Sequence, residues 1–128
     1  MNLEPIVDAH HHIRNRAHVP WLNGPIQPRI FGEYAAIVRD YPVEEYLGDA
    51  RGCGVTKSVY VQANWAPERA LDESRWVQAQ ADRTGYPHAI VAYADLAAAD
   101  VEHALEQQAG IRKVRGIRQQ LHWHVNPL

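Results

Sequence analysis

The stretch IVDAHHHI, residues 6–13, runs from an apolar start through an aspartate into three consecutive histidines. Side-chain alternation decides how it reads. On an extended strand successive side chains point to opposite faces, so His10 and His12 share one face while His11 takes the other. Two neutral imidazoles projecting together can chelate a divalent cation, and imidazole nitrogen suits zinc, nickel or iron. The plainer reading of the same pair is a polar strand end solvated by water. Asp8 has the parity of His10 and His12 and serves either to orient a ring or as a strand-opening hydrogen-bond group.

Outward from this stretch, three later segments repeat a strand-like pattern. KSVYVQA (57–63), HAIVAYADL (88–96) and VRGIRQQL (114–121) are short and rich in branched or aromatic residues. Helix-period stretches separate them. Val43, Tyr46, Leu47 and Ala50 fall at i, i+3, i+4 and i+7, with Pro42 suited to the first turn and Gly52 or Gly54 to the stop. Leu71, Ser74, Gln78 and Ala81 share a second face with Val77 beside it, ended by Gly85. Val101, Ala104, Leu105 and Gln108 form a third, closed by Gly110. Strand and helix alternate throughout, which predicts a parallel sheet with right-handed crossovers. Residues 14–41 break the rhythm with Pro20, Pro25 and Pro28, and long irregular connections of this kind are often functional.

In parallel α/β folds the chemistry collects at the C-terminal ends of the strands. That rule selects His10 and His12 after the first strand, then Gln62, Asn64 and Trp65 after the second. Tyr93 and Asp95 follow the third, and Arg118, Gln120, His122 and His124 the fourth. Gln62 and Asn64 share parity and are candidates to hold substrate hydroxyls. Arg115 and Arg118 have opposite parity, so both face one side only if Gly116 marks a bulge. Trp21, Trp65 and Trp123 are candidate apolar walls around a ring-shaped substrate, although a tryptophan is more often simply packing. Cys53 is expected on a helix and in the core, His88 and His103 on the surface.

The bulk properties narrow the class. A chain of 128 residues builds one domain with a real core but not two. A net charge of −2 with no basic run argues against nucleic acid or a membrane surface as partner. No apolar stretch approaches the roughly 20 residues of a membrane span. MNLEPIVDA lacks the basic start and apolar segment of a secretion signal, and the lone Cys53 forms no intrachain disulfide. Together these predict a cytoplasmic location.

IVDAHHHI, the tryptophan-containing insertion, KSVYVQANW, ESRWVQAQADRTGYPHAIVAYADL and VRGIRQQLHWH together resemble the amidohydrolase-related proteins. Within them they are most similar to the branch of sugar lactonases and the pyrone-dicarboxylate lactonase. The resemblance implies a (β/α)8 TIM barrel whose members hydrolyse lactones, amides or related carbonyl compounds. It places His10 and His12 at the metal and carbonyl-polarising position. It makes Arg118, with Arg115, a candidate for a substrate carboxylate; Gln62, Asn64 and His122, selected by their place after the strands, are candidate substrate contacts beside it. Zinc is the expected ion, although some lactonases of this branch work without a metal. A full barrel needs about 250 residues. The expectation is therefore a single N-terminal half-barrel over residues 1–128, with about four βα units and an irregular insertion at 14–41. Further histidines and a catalytic aspartate, which the family takes from later strands, have no counterpart here. The resemblance thus implies a lactone or carboxylated small molecule as substrate, a fragment inactive alone, and self-association or a missing C-terminal half. The alternative is a non-catalytic, metal-binding or self-associating half-barrel.

Overall fold

A computed structural model describes residues 4–121 of the chain. Seven regular elements alternate: β1 (Ile6–His11), α1 (Val43–Ala50), β2 (Val55–Val61), α2 (Ala70–Thr84), β3 (Ala89–Ala92), α3 (Val101–Ala109) and β4 (Val114–Ile117). The strands pair in parallel in the order β1-β2-β3-β4. Each crossover carries one helix, as the alternating pattern requires.

The core lies between the sheet and its helices. Ile13, Tyr60, Ile90 and Ala92 meet Val43 and Tyr46 of α1 and Val77 of α2, all buried. The face of α2 differs in detail from its sequence pattern. Glu73, Ser74, Val77 and Ala81 are the buried positions, while Leu71 and Gln78 are only half-buried. Gly85 ends α2 at φ 83°, and its N–H reaches the Ala81 carbonyl at 2.8 Å. Cys53 departs from expectation. α1 stops at Ala50, so Cys53 falls in an exposed turn between Gly52 and Gly54, both at positive φ.

Two bulges set the aim of the site residues. Asp8 pairs with Ser58 and His11 with Tyr60, so three steps on β1 oppose two on β2. One extra residue reverses parity. Asp8 therefore faces the helix side with His11, where Tyr46 donates to its carboxylate at 3.0 Å, and not the side of His10 and His12. On β4, Ile90 pairs with Val114 and Val91 with Gly116, which leaves Arg115 as the extra residue.

Residues 14–41 form an excursion with both ends pinned together. Arg14 and Tyr41 exchange backbone hydrogen bonds of 2.8 and 2.9 Å. Inside it three short 3-10 turns, Arg16–His18, Pro20–Leu22 and Ala35–Ile37, fold over a cluster of their own. Val19, Leu22 and Tyr34 are buried there against Trp65, which lies just beyond β2. No helix among the described residues is long and apolar enough to cross a membrane.

Candidate active site

His10 and His12 leave β1 at its C-terminal edge and converge. Their Nε2 atoms stand 3.3 Å apart, with the rings at 82°. His12 Nδ1 lies 2.7 Å from the Val61 carbonyl. A carbonyl only accepts, so Nδ1 carries the proton and the Nε2 lone pair is free to face His10. Burial holds the His12 ring down to about 4; the Val61 bond opposes this, and the nearby charges of His10, Arg118 and Arg14 reinforce it. His12 is therefore a neutral imidazole at neutral pH.

The pair fits a divalent ion. Two nitrogens about 2.0–2.1 Å from a tetrahedral zinc lie roughly 3.3 Å from each other, the separation found here. The donor set is chemically right as well, since both rings can present unprotonated nitrogen. Among the described residues no group of three or more His, Cys, Asp or Glu side chains gathers to hold a metal.

A cavity of about 830 Å³ opens beside the pair. His10, His12, Asn64, Asp95 and Arg118 all line it, so the ends of β1, β2, β3 and β4 share one rim. Arg118 turns inward and donates to the Gln62 carbonyl at 2.7 Å. Desolvation lowers its guanidinium pKa, while the neighbouring Glu73 and Tyr60 raise it. Asn64 sits at φ 57°, an uncommon conformation for a residue other than glycine and one that recurs at binding sites. Its amide donates to Gln120 at 2.6 Å and so ties the end of β2 to the segment after β4. Gln62 is buried. Its side-chain oxygen accepts the Asn64 N–H at 2.7 Å, so it shapes the loop that carries Asn64 and does not line the cavity. Arg115 points elsewhere. Its guanidinium folds back onto the carbonyls of Arg112 and Val114 in the exposed surface. His122, His124 and Trp123 lie outside the described residues.

The sequence reading missed Glu73. This carboxylate on α2 is 2% exposed and accepts the Ala63 N–H at 2.6 Å and the Tyr60 hydroxyl at 2.7 Å. Burial raises its pKa, and those hydrogen bonds oppose the rise. Glu73 thereby anchors the backbone from which Asn64 and Trp65 project. A signal was present in the spacing, because Glu73, Val77 and Ala81 fall at i, i+4 and i+8 on one helical stripe.

The chain has relatives among known proteins. Residues 7–128 match the family described as Amidohydrolase. Over 123 residues the chain is 35% identical to the uncharacterized protein y4mH of Sinorhizobium fredii, a match covering 94% of this chain and 41% of that protein. A crystal structure of an amidohydrolase from Burkholderia multivorans with bound zinc is similar in fold, with a TM-score of 0.68 at 24% identity. A second structure described in the same terms, with bound HEPES, gives 0.66 at 25% identity. Both cover 95% of this chain and 39% of theirs. The chain thus spans about two fifths of the length of these relatives.

Proposed function

The chain belongs to the amidohydrolase family, and from that premise we propose that it forms the strand 1 to 4 side of a metal-assisted hydrolase acting on a lactone or related cyclic ester. The observation that carries this reading is the His10–His12 pair, whose Nε2 atoms stand 3.3 Å apart on the wall of a cavity that Arg118 also lines.

In this reading His10 and His12 hold zinc through Nε2, and the Val61 carbonyl fixes the His12 tautomer that makes this work. When bound, the ion supplies Lewis-acid polarisation of a carbonyl and acidifies a water molecule. Arg118 orients a substrate carboxylate or steadies negative charge that develops on the carbonyl oxygen, since its fork of N–H groups suits two oxygens. Gln62 and Glu73 act through the loop they shape, keeping Asn64 at the rim. In a protein of the relatives' full length, the remaining ligands and the base that activates water come from later strands.

Calorimetric titration with zinc tests the site directly. We expect the chain to take up one zinc ion, and His10→Ala or His12→Ala to weaken binding at least about tenfold. Unchanged affinity in both variants removes the pair from any metal site. A second reading rests on the same two converging imidazoles and makes the chain a zinc-binding half-barrel without turnover. Assays on sugar lactones separate the two, because hydrolysis by this chain alone refutes the second.

A further inference from the structure

We propose that the excursion at residues 14–41 builds an aromatic subsite, and that the cavity takes a carbonyl compound bearing a ring-sized apolar group, such as a benzo-fused lactone. The inference rests on the reading of the cavity as a hydrolytic site and names its substrate class.

Three observations carry it. First, the cavity lining is of two kinds. His10, His12, Asn64 and Arg118 come from the strand ends, while the excursion adds Trp21, Phe31 and Ile37 beside Arg14 and Arg29. The side chains of Trp21, Phe31 and Ile37 offer a hydroxylated ligand nothing to bond. The Trp21 indole N–H is already donated to the Ala63 carbonyl at 3.0 Å, and Phe31 and Ile37 have no polar side-chain atom. The part of a polyhydroxy ligand lying against these three side chains would lose hydrogen bonds to water and regain none from them.

Second, the apolar lining is presented outward and held in place. Phe31 is 62% exposed and Ile37 40%, while Val19, Leu22 and Tyr34 of the same excursion are buried. Exposed apolar surface rimmed by polar groups marks a contact site. Trp21 is fixed by the Ala63 bond, by Tyr34 at 5.7 Å and by the Arg29 guanidinium at 5.6 Å. An aromatic face held so rigidly receives another ring at little cost in side-chain freedom.

Third, the charge balance suits the acid that hydrolysis releases. Among the described residues Arg14, Arg29 and Arg118 line the cavity against one aspartate, Asp95, in a chain whose net charge is −2. Hydrolysis adds water across the acyl C–O bond. The acyl carbon gains a hydroxyl, the ring oxygen leaves with a proton as the phenol, and the new carboxylic acid ionises. The resulting aryl-alkanoate has its ring for the apolar side chains and its carboxylate for the arginines.

Titration of the zinc-loaded chain with 3-(2-hydroxyphenyl)propionate and with gluconate, followed by tryptophan fluorescence and calorimetry, tests this. The aromatic acid should bind at least about tenfold more tightly than gluconate. Phe31→Ala and Trp21→Leu should each weaken the aromatic acid about three- to tenfold and leave zinc affinity unchanged. Because Phe31 is exposed, its variant keeps the fold even if Trp21→Leu does not. Gluconate binding as tightly, or a Phe31→Ala variant with undiminished aromatic affinity, overturns the subsite. Zinc affinity is read in the same samples. Intact zinc binding without aromatic preference therefore sinks the subsite alone, whereas aromatic binding without zinc sinks only the metal assignment.

Discussion

At the scale of single residues, His11 is the most exposed to test. It is 7% accessible, stacks on Tyr46 at 4.0 Å, and neither ring nitrogen has a hydrogen-bond partner among the described residues. Burial lowers it to about 4, against an ordinary 6.5, with Asp8 opposing the shift. His12 is lowered to about 4 as well. The sign follows from linkage. Between pH 6.5 and 4 the unfolded chain binds protons on these rings and the folded chain does not, so stability is full above about pH 6.5 and is lost as pH falls towards 4. Each ring accounts for about 3 kcal/mol of that loss at most. Replacing His11 with Phe keeps the stack and removes the titrating group. Urea midpoints of His11→Phe should fall about half as steeply over this window, and an equal fall would show that His11 is not the group responsible. The strand period was enough to separate His11 from its neighbours on sequence alone. It failed for Asp8, because a one-residue bulge leaves no mark in a hydrophobic pattern. Glu73 lies on α2, beyond the reach of any strand period, and a charged residue on a helix normally reads as solvated.

At the scale of elements, helix ends were legible where glycine is physically required. Gly85 adopts φ 83°, and a Cβ placed there would meet nothing within 4 Å. The effect of Gly85→Ala is then pure backbone strain. A loss of about 1–2 kcal/mol in urea denaturation is expected. A neutral result would mean the helix ends differently in solution. α1 shows the limit of such punctuation, since Gly52 and Gly54 were both available as stops but the helix closes at Ala50, and Cys53 is left outside the core. The excursion at 14–41 was visible only as an interruption. Its cluster of Val19, Leu22 and Tyr34 is built from isolated apolar residues with neither period 2 nor period 3.6, and its partner Trp65 lies beyond the next strand.

At the scale of the whole molecule, the order of elements was readable because it repeats, and each repeat buries one helix stripe on one strand face. The shared rim followed from the same regularity. What the sequence could not supply was depth, since cavity volume depends on where the excursion folds back. Among the described residues the sheet has β1 and β4 at its edges, and on β1 Ile6 and Val7 remain 47% and 56% exposed. Unpaired edges with apolar neighbours favour pairing with another chain. Sedimentation across a wide concentration range should show a mass rising above 14.5 kDa; a value fixed there at every concentration would rule out association.

The pinned ends of the excursion have a practical consequence. Arg14 and Tyr41 meet as neighbours in one antiparallel bridge, so whatever is strung between them begins and finishes at the same point on the scaffold. Closure entropy changes slowly with loop length. A replacement segment that still covers Trp65 can therefore be grafted between the same two residues, and should retune ligand choice while β1 and its histidines stay in register.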